Sequence, residues 1–348
     1  MKRLDREFRE AVTASIDSSG NVVVAGVPFA PVKILEYEQY SYDDAFLSWL
    51  NNEWIPIRED RLAEILTDAT NKQRFDELSS AVKAERVVPF VGSGLSGPSG
   101  MPLWSSFLRQ IRKSSTLPEV ELEELLGLGQ FEGAASALLS KMPIHLFNER
   151  LEQTFRVSSD SEIIGAVHFV PEIFNETIVT TNFDDILEVI HRSAATQFDE
   201  ILNGNSIAQF RQLRGKGRRC LLKIHGDHEN PIGRVLTTAE YDAAYGPGCL
   251  ARVELEHLFS SEPMLFMGCS LQADRTMILL QEVVASDNGT PRKYAFMKRP
   301  SDDAIWIERE HFLTERKIFP IWYNGDHDQS VEALLFGLRQ ATGKRGGP

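Results

Sequence analysis

The stretch from Val87 to Trp104 constrains the fold of this chain more than any other part of the sequence. It begins with an apolar run rich in β-branched residues, which predicts a buried strand. It then breaks into glycine and serine at 92–96 and resumes at Trp104 to Ile111 with helical apolar spacing. A strand, a glycine-rich turn and a helix are how α/β proteins hold a phosphate, because the backbone approaches the anion and the first N–H groups of the helix point at it. A tight turn that binds nothing is the alternative reading of this stretch taken alone.

The rest of the chain continues this alternation. Five more strands are predicted, at Thr177 to Thr181, Cys220 to Ile224, Pro263 to Met267, Tyr294 to Met297 and Lys317 to Trp322. Helices are predicted at Glu119 to Leu128, Gln130 to Ser140, Ile144 to Phe155, Ile186 to His191, after Asp274, and at Ser330 to Leu338. The expected fold class is therefore α/β: a Rossmann-like parallel sheet with a helical insertion at about 105–165 and an N-terminal accessory α/β segment.

Three regions are expected along the chain. Residues 1–80 form an accessory or assembly segment, with strands at Asn21 to Ala25 and Val32 to Tyr37 and helices at Tyr42 to Trp54 and Arg61 to Ala81. This segment carries no chemistry that we can identify. Residues 81–340 form the sheet domain, and 341–348 form a disordered glycine-rich tail.

Composition excludes several classes of function. The net charge is −13, with 37 basic and 50 acidic residues, which argues against non-specific binding to a nucleic-acid backbone. Cys220, Cys249 and Cys269 form no CxxC pair, so neither a zinc knuckle nor a disulfide framework is expected. No secretory signal is expected, because no apolar core follows the first residues, and no membrane-spanning segment is expected, because no apolar run is long enough. We expect a cytoplasmic protein.

Polar and small residues follow four of the predicted strands. They are Gly92 to Ser96, Asn182 to Asp184, His225 to Asp227 and Gly268 to Ser270. In a parallel sheet these strand ends share one edge, where ligands bind. Each position has an alternative: Asp185 with Glu188 resembles a capping box, His225 alone is compatible with a core histidine, and Asp274 is either a helix cap or a ligand contact. His225 and His228 lack a third ligand nearby, so no metal site is expected.

These residues carry a resemblance to a known family. Gly92-Ser93-Gly94-Leu95-Ser96 with Ser99-Gly100-Met101-Pro102 resembles the NAD-binding turn of sirtuins, which reads GAGxS followed by SGxP. Thr180-Thr181-Asn182-Phe183-Asp184 is similar to the asparagine–aspartate strand end of the bacterial divergent branch. Lys223-Ile224-His225-Gly226 resembles the strand that delivers the catalytic histidine, and Gly268-Cys269-Ser270-Leu271 the later turn against the adenosine. Order and spacing agree over roughly 86–325.

The sequence also departs from protein-deacylating sirtuins. Their zinc module of two CxxC pairs after the histidine has no counterpart here, and Leu103-Trp104-Ser105 stands where they carry Asp-Phe-Arg. The chain therefore resembles the sirtuin-like effectors of bacterial anti-phage defence, which destroy NAD rather than deacylate proteins. This resemblance implies NAD as substrate, no metal, a homo-oligomer, and a regulatory partner such as a hexameric translocase-like ATPase or a phage sensor. The alternatives are a non-enzymatic NAD or ADP-ribose sensor, and an NAD-dependent deacylase or ADP-ribosyltransferase.

The resemblance assigns a role to each candidate residue. Asn182, His225 and Asp184 are the expected catalytic residues. Asn182 orients the nicotinamide ribose or water, His225 is the base on a ribose hydroxyl or on water, and Asp184 holds the nicotinamide amide or orients Asn182. An ordinary histidine pKa of about 6.5 suits a base near neutrality. The residues expected to bind the dinucleotide are Gly92, Ser93, Gly94, Ser96, Met101, Pro102, Gly268 and Ser270.

Overall fold

A computed structural model describes residues 4–14, 22–24, 27–158, 161–272, 275–286 and 289–343. The strands are β1 Val22–Val24, β2 Val27–Phe29, β3 Val88–Val91, β4 Thr177–Thr180, β5 Glu200–Leu202, β6 Cys220–Lys223, β7 Met264–Met267, β8 Lys293–Lys298 and β9 Ile318–Tyr323. The helices before β4 are α1 Asp5–Ala14, α2 Pro31–Glu36, α3 Gln39–Trp49, α4 Ile55–Ile65, α5 Ala69–Lys83, α6 Trp104–Arg112, α7 Glu119–Gly127, α8 Phe131–Ser140, α9 Ile144–Phe155 and α10 Val170–Ile173. Those after it are α11 Ile186–Ser193, α12 Phe210–Gly215, α13 Thr238–Tyr245, α14 Leu250–Ser261, α15 Arg275–Ser286, α16 Asp303–Thr314 and α17 His327–Thr342.

The main sheet of the described chain has seven parallel strands in the order β5-β6-β4-β3-β7-β8-β9. The chain starts in the middle at β3, passes to β4, then to the edge strand β5 and back to β6 between them, and finally crosses to β7 on the other side of β3 and continues to β9. The direction of winding therefore reverses between β3 and β7, as in a doubly wound α/β fold. The predicted Rossmann-like fold class is confirmed.

Helices cover both faces of this sheet. Neighbouring residues of a strand belong to different cores, because their side chains point to opposite faces. Val91 and Ile178 belong to the core under α6–α10 and α17, whereas Phe90 and Val179 belong to the core under α12–α16. Strands β3, β4, β6 and β7 are buried along their whole length. Their continuous apolar runs are typical of parallel strands that are covered on both sides.

The N-terminal residues differ from the sequence-based expectation in two places. The strand predicted at Val32 to Tyr37 is wrong, since Pro31 begins helix α2 there; proline at the first helical position is preorganised for a helix. The helix predicted over Arg61 to Ala81 is two helices, and Asp68 caps the second by accepting a hydrogen bond from the Asn71 amide at 2.9 Å.

Helices α4 and α5 pack on the sheet domain through α17 and β9. The Asn71 side chain donates to the Trp322 carbonyl at 2.8 Å and accepts from the Trp322 amide at 3.0 Å. Arg58 of α4 forms a 3.1 Å ion pair with Glu332 of α17. The core around α17 therefore contains side chains from before residue 80.

Several elements were not predicted. Strand β5 lies at the sheet edge with only Leu202 fully buried, so its sequence lacks the apolar run of the other strands. Helices α13, α14 and α16 were also missed. The predicted tail overlaps the end of α17 at 341–342, and 344–348 lie outside the described residues. In the ranges that the structure describes, no helix is long and apolar enough to cross a membrane.

Candidate active site

The carboxyl ends of four adjacent strands bring the predicted site residues to one edge of the sheet. Val91 of β3 pairs with Thr180 of β4 and with Met267 of β7, and Thr180 pairs with Lys223 of β6. The residues that leave these strands therefore start at the same level, beside the reversal between β3 and β7. They include Gly92, Asn182, His225 and Gly268. Ligands of doubly wound sheets bind at this kind of switch point.

The two glycine turns at this edge are packed against each other. A Cβ on Gly92 would lie 2.5 Å from the Gly268 carbonyl oxygen, and one on Gly268 would lie 2.4 Å from the Leu95 nitrogen. Gly268 also has a φ of 67°, which side chains rarely adopt. Glycine is therefore required at both positions for the turns to meet.

The backbone amides of the glycine-rich turn were expected to be free, but they have hydrogen-bond partners inside the protein. Gly92 donates to the Met267 carbonyl at 2.8 Å and Gly94 to the Gly268 carbonyl at 2.9 Å. Leu95 and Ser96 donate to carbonyls within the turn at 3.1 Å. The turn leads into short 3-10 segments before α6 begins at Trp104. These four amides are thus engaged inside the protein, and the expectation of free N–H groups pointing at an anion is wrong for them.

Asn182 is held in one orientation by Ser96. The Asn182 Nδ2 donates to Ser96 Oγ at 3.1 Å, and the Ser96 hydroxyl also hydrogen-bonds the Asp184 carboxylate. A hydroxyl has one hydrogen to donate, so donation to the carboxylate leaves Ser96 as the acceptor for the amide. The opposite atom, Asn182 Oδ1, is buried and has no hydrogen-bond partner within the described residues. Buried polar atoms normally have partners, so this oxygen is a candidate ligand contact.

Asp184 is buried, with 4% of its surface exposed. Burial raises the pKa of its carboxyl to about 6, while the Lys223 cation and the Ser96 hydrogen bond act in the opposite direction. Lys223, itself only 1% exposed, donates from Nζ to the Asp184 backbone carbonyl at 2.8 Å and to Glu188 Oε1 at 2.8 Å. A buried lysine thus fixes the loop that carries Asn182 and Asp184.

The capping box predicted from Asp185 and Glu188 is wrong. Asp185 lies at the N-cap of α11, but its side chain accepts no capping hydrogen bond from that helix. Its Oδ1 accepts instead from the Val157 amide at 2.9 Å, and Glu188 pairs with Lys223. Both carboxylates therefore have tertiary partners in place of the local ones that the sequence suggested.

His225 lies against two tyrosines. Its Nε2 is 3.0 Å from the Tyr245 hydroxyl and its Nδ1 is 3.5 Å from the Tyr241 hydroxyl. Burial lowers the pKa of His225 to about 4, so the expected ordinary value is wrong and the imidazole is neutral at pH 7. The glycine after it, Gly226, has a φ of 84° and would place a Cβ 2.8 Å from the Arg234 Cα. The close approach of Arg234 is sufficient to require glycine at this position.

These residues line a cavity of about 500 Å³. One wall is aromatic, with the ring centroids of Trp104 and Phe183 5.3 Å apart. Another contains Arg275, which forms ion pairs with Glu132 at 3.3 Å and Asp242 at 2.8 Å. Leu103, Trp104 and Ser105, the departure from deacylating sirtuins, all line this space. The volume is in the usual range for small-molecule and cofactor sites.

The structure brings most of the predicted site residues to the cavity. Those that line it are Gly92, Ser93, Gly94, Pro102, Asn182, Asp184, His225, Gly268 and Ser270. Ser96 and Met101 are buried and do not line it. Asp274 and the residue before it lie outside the described residues.

The residues that we missed include Tyr241, Arg275 and Phe131. Only Tyr241 had a local signal, because Thr237 and Glu240 form the capping box of its helix. In the part of the chain that the structure describes, no group of three or more His, Cys, Asp or Glu is arranged to hold a metal ion.

A comparison with protein families identifies the domain. Residues 176–321 match the family model of the SIR2-like domain. The chain carries a SIR2-like domain. The match contains Asn182, Asp184, His225 and Gly268, and it begins after the glycine-rich turn. The SIR2-like domain and this turn nevertheless share one sheet, since β3 lies between β4 and β7. SIR2-like domains use NAD, so the match supports an NAD-related function for this domain.

Proposed function

We propose that this protein is an NAD⁺ glycohydrolase that cleaves the bond between nicotinamide and ribose. The observation that supports this most is the pairing of two groups in one cavity. Asn182 has an oriented amide whose buried oxygen has no hydrogen-bond partner within the described ranges, and His225 is a neutral imidazole. Both lie at the switch point of a SIR2-like sheet. An oriented acceptor and a neutral base are what hydrolysis of a pyridinium glycoside needs.

The chemistry demands little from the protein, because nicotinamide leaves as a neutral molecule. The bond from the ribose C1′ to the pyridinium nitrogen breaks and its electron pair stays on nicotinamide. Positive charge then develops at C1′, where the oxygen of a water molecule adds. His225 takes the proton that this water loses and releases it to solvent. Asn182 Oδ1 holds the water or a ribose hydroxyl in place. Ionised Asp184 accepts the Ser96 hydrogen bond and thereby fixes the orientation of the Asn182 amide.

The dinucleotide would occupy the cavity along the sheet edge. The turns at Gly92–Gly94 and Gly268 allow close approach of the diphosphate, with the Ser93 and Ser270 side chains beside them and Arg275 as a nearby cation. Since four amides of the first turn are already engaged, diphosphate binding relies on these side chains or on movement of the turn. Trp104 and Phe183 shelter the nicotinamide end from bulk water.

The test is release of nicotinamide from NAD⁺, followed by chromatography. We expect His225→Ala and Asn182→Ala each to lower the rate by about 10²–10⁴-fold while the protein stays folded. His311→Ala on the exposed side of α16 is the matched control and retains the full rate. Full activity in either site variant would overturn the assignment.

An NAD or ADP-ribose sensor is the second candidate, favoured by the tyrosine contacts at both nitrogens of His225. These contacts leave the base engaged in the absence of substrate. A sensor binds NAD⁺ or ADP-ribose in calorimetry and releases no nicotinamide, even with its partners present. Detection of nicotinamide above the His225→Ala background excludes it.

We further propose that the enzyme is a regulated cytoplasmic effector of anti-phage defence, because unrestrained NAD⁺ hydrolysis would kill its host. Regulation would involve a homo-oligomer and a partner such as a hexameric ATPase or a phage sensor. The chain should therefore be assayed alone and with the products of neighbouring genes. Equal, high activity under both conditions would contradict regulation by a partner.

A further inference from the structure

Two tyrosines on one face of α13 contact the imidazole of His225. The rings of Tyr241 and Tyr245 are stacked, with centroids 5.8 Å apart and an interplanar angle of 19°. Each presents its hydroxyl to a different nitrogen of His225, at 3.5 Å for Nδ1 and 3.0 Å for Nε2. Residues four apart on a helix lie side by side, so this arrangement follows from the sequence spacing.

Helix α13 is anchored at both ends. At its start, Thr237 Oγ1 accepts from the Glu240 amide at 3.3 Å, and Glu240 Oε2 accepts from the Thr237 amide at 2.9 Å. At its end, the Tyr245 carbonyl accepts from Arg252 Nη1 of α14 at 3.2 Å. Tyr245 is 6% exposed, whereas Tyr241 lines the cavity. One tyrosine is therefore a fixed, buried partner, and the other lies on the substrate side.

A neutral imidazole carries one N–H, so its two nitrogens have opposite roles. Nε2 has the shorter contact, to the buried Tyr245 hydroxyl. Nδ1 faces the Tyr241 hydroxyl in the cavity wall. We propose that Tyr245 is a positioning residue that accepts a hydrogen bond from Nε2–H and thereby leaves the lone pair on Nδ1, the nitrogen that takes the proton from water. This inference rests on the proposed NAD⁺ hydrolysis only for the catalytic use of Nδ1.

The tautomer of His225 can be measured without substrate. In ¹⁵N-labelled protein at pH 7, NMR distinguishes a protonated ring nitrogen from an unprotonated one, and the His225 signals are those lost in His225→Gln. We expect wild type to be protonated at Nε2, and Tyr245→Phe to be a mixture of both tautomers. Tyr241→Phe keeps the Nε2–H form, because its contact is the longer one. An Nδ1–H form in wild type, or an unchanged tautomer in Tyr245→Phe, overturns the proposal.

Kinetics give a second readout. Tyr245→Phe should lower kcat by about 10–100-fold, as expected for a residue that orients a reactive group, with KM little changed. Tyr323→Phe is the matched control, since Tyr323 is also a buried tyrosine whose hydroxyl contacts a histidine, His327, away from the cavity. It should alter neither kcat nor the tautomer. If wild type releases no nicotinamide under any condition, the proposed function fails while the tautomer result stands. If it releases nicotinamide with an Nδ1–H histidine, only this inference fails.

Discussion

Lys223→Met tests how the catalytic loop is supported. Lys223 is the cation beneath this loop, and its ion pair with Glu188 has side chains only 2% and 11% exposed. Methionine keeps the length and apolar stem of lysine but removes the charge and the three donors. Glu188 would then be a partly buried carboxylate without its cation, and its Oε2 has no hydrogen-bond partner among the described residues to begin with.

The expected cost follows from this burial. Removing one partner of a buried ion pair destabilises a protein by about 3–5 kcal/mol. That is a large share of a typical unfolding free energy of about 5–15 kcal/mol. Replacing both partners avoids the unpaired charge, so Lys223→Met with Glu188→Met should recover most of the loss. About 1–2 kcal/mol remains, because the Asp184 carbonyl loses its Lys223 donor, whereas the Phe183 carbonyl keeps the His228 amide at 3.1 Å.

The assay is urea unfolding of wild type, both single variants and the double variant. Lys72→Met is the matched control: its ion pair with Asp76 has the same 2.8 Å length but side chains 61% and 59% exposed. We expect that control to lose no more than about 0.5 kcal/mol. A loss below about 1 kcal/mol in Lys223→Met, or a double variant as unstable as the sum of the singles, would refute the reasoning.

Three further predictions follow from the site and the N-terminal residues. Burial raises the pKa of Asp184 from 3.8 to about 6, so the stability that this carboxyl contributes is present below pH 4 and is lost as the pH rises through 6. Asp184→Asn should remove this decrease in the free energy of unfolding, measured by urea unfolding at several pH values. An unchanged pH dependence in the variant would contradict the prediction. Gly268→Ala should weaken NAD⁺ binding in calorimetry by more than about 10-fold, because its Cβ meets the Leu95 nitrogen. Gly97→Ala should bind like wild type, because its Cβ has no neighbour within 4 Å in the described part of the chain. If the N-terminal segment mediates assembly, replacing Tyr37 and Tyr40, which are 82% and 73% exposed, by serine should give a smaller species in size-exclusion chromatography; identical elution would exclude these two side chains from an interface.

The buried strands of the sheet were predictable because their signal is local. Four strands are buried on both faces, and such strands read as continuous apolar runs whatever their neighbours are. Once the strands are parallel, their ends meet at one edge. Asn182, His225 and Gly268 could therefore be grouped from sequence without knowing any distance between them.

The predictions that were wrong or missing concern residues whose structure depends on tertiary contacts. Strand β5 is held at the edge by β6 alone, so half of its surface needs no apolar side chain. The run at Val32 to Tyr37 has β-branched residues, but it follows a proline that is preorganised for the start of a helix. The Asp185 carboxylate has a local capping partner in the sequence and a better one, the Val157 amide, 28 residues away.

The two glycines with positive φ at the site show where sequence reasoning stops. Gly226 and Gly268 each follow a buried strand, and the sequence places both at the sheet edge where ligands are expected to bind. The structure gives them different neighbours: Arg234 backbone beside Gly226, and the glycine-rich turn at Leu95 beside Gly268. A glycine indicates that something comes close but not what does. The ligand hypothesis therefore depends less on the glycines than on Asn182, because its buried Oδ1 is a specific atom without a hydrogen-bond partner among the residues that the structure describes.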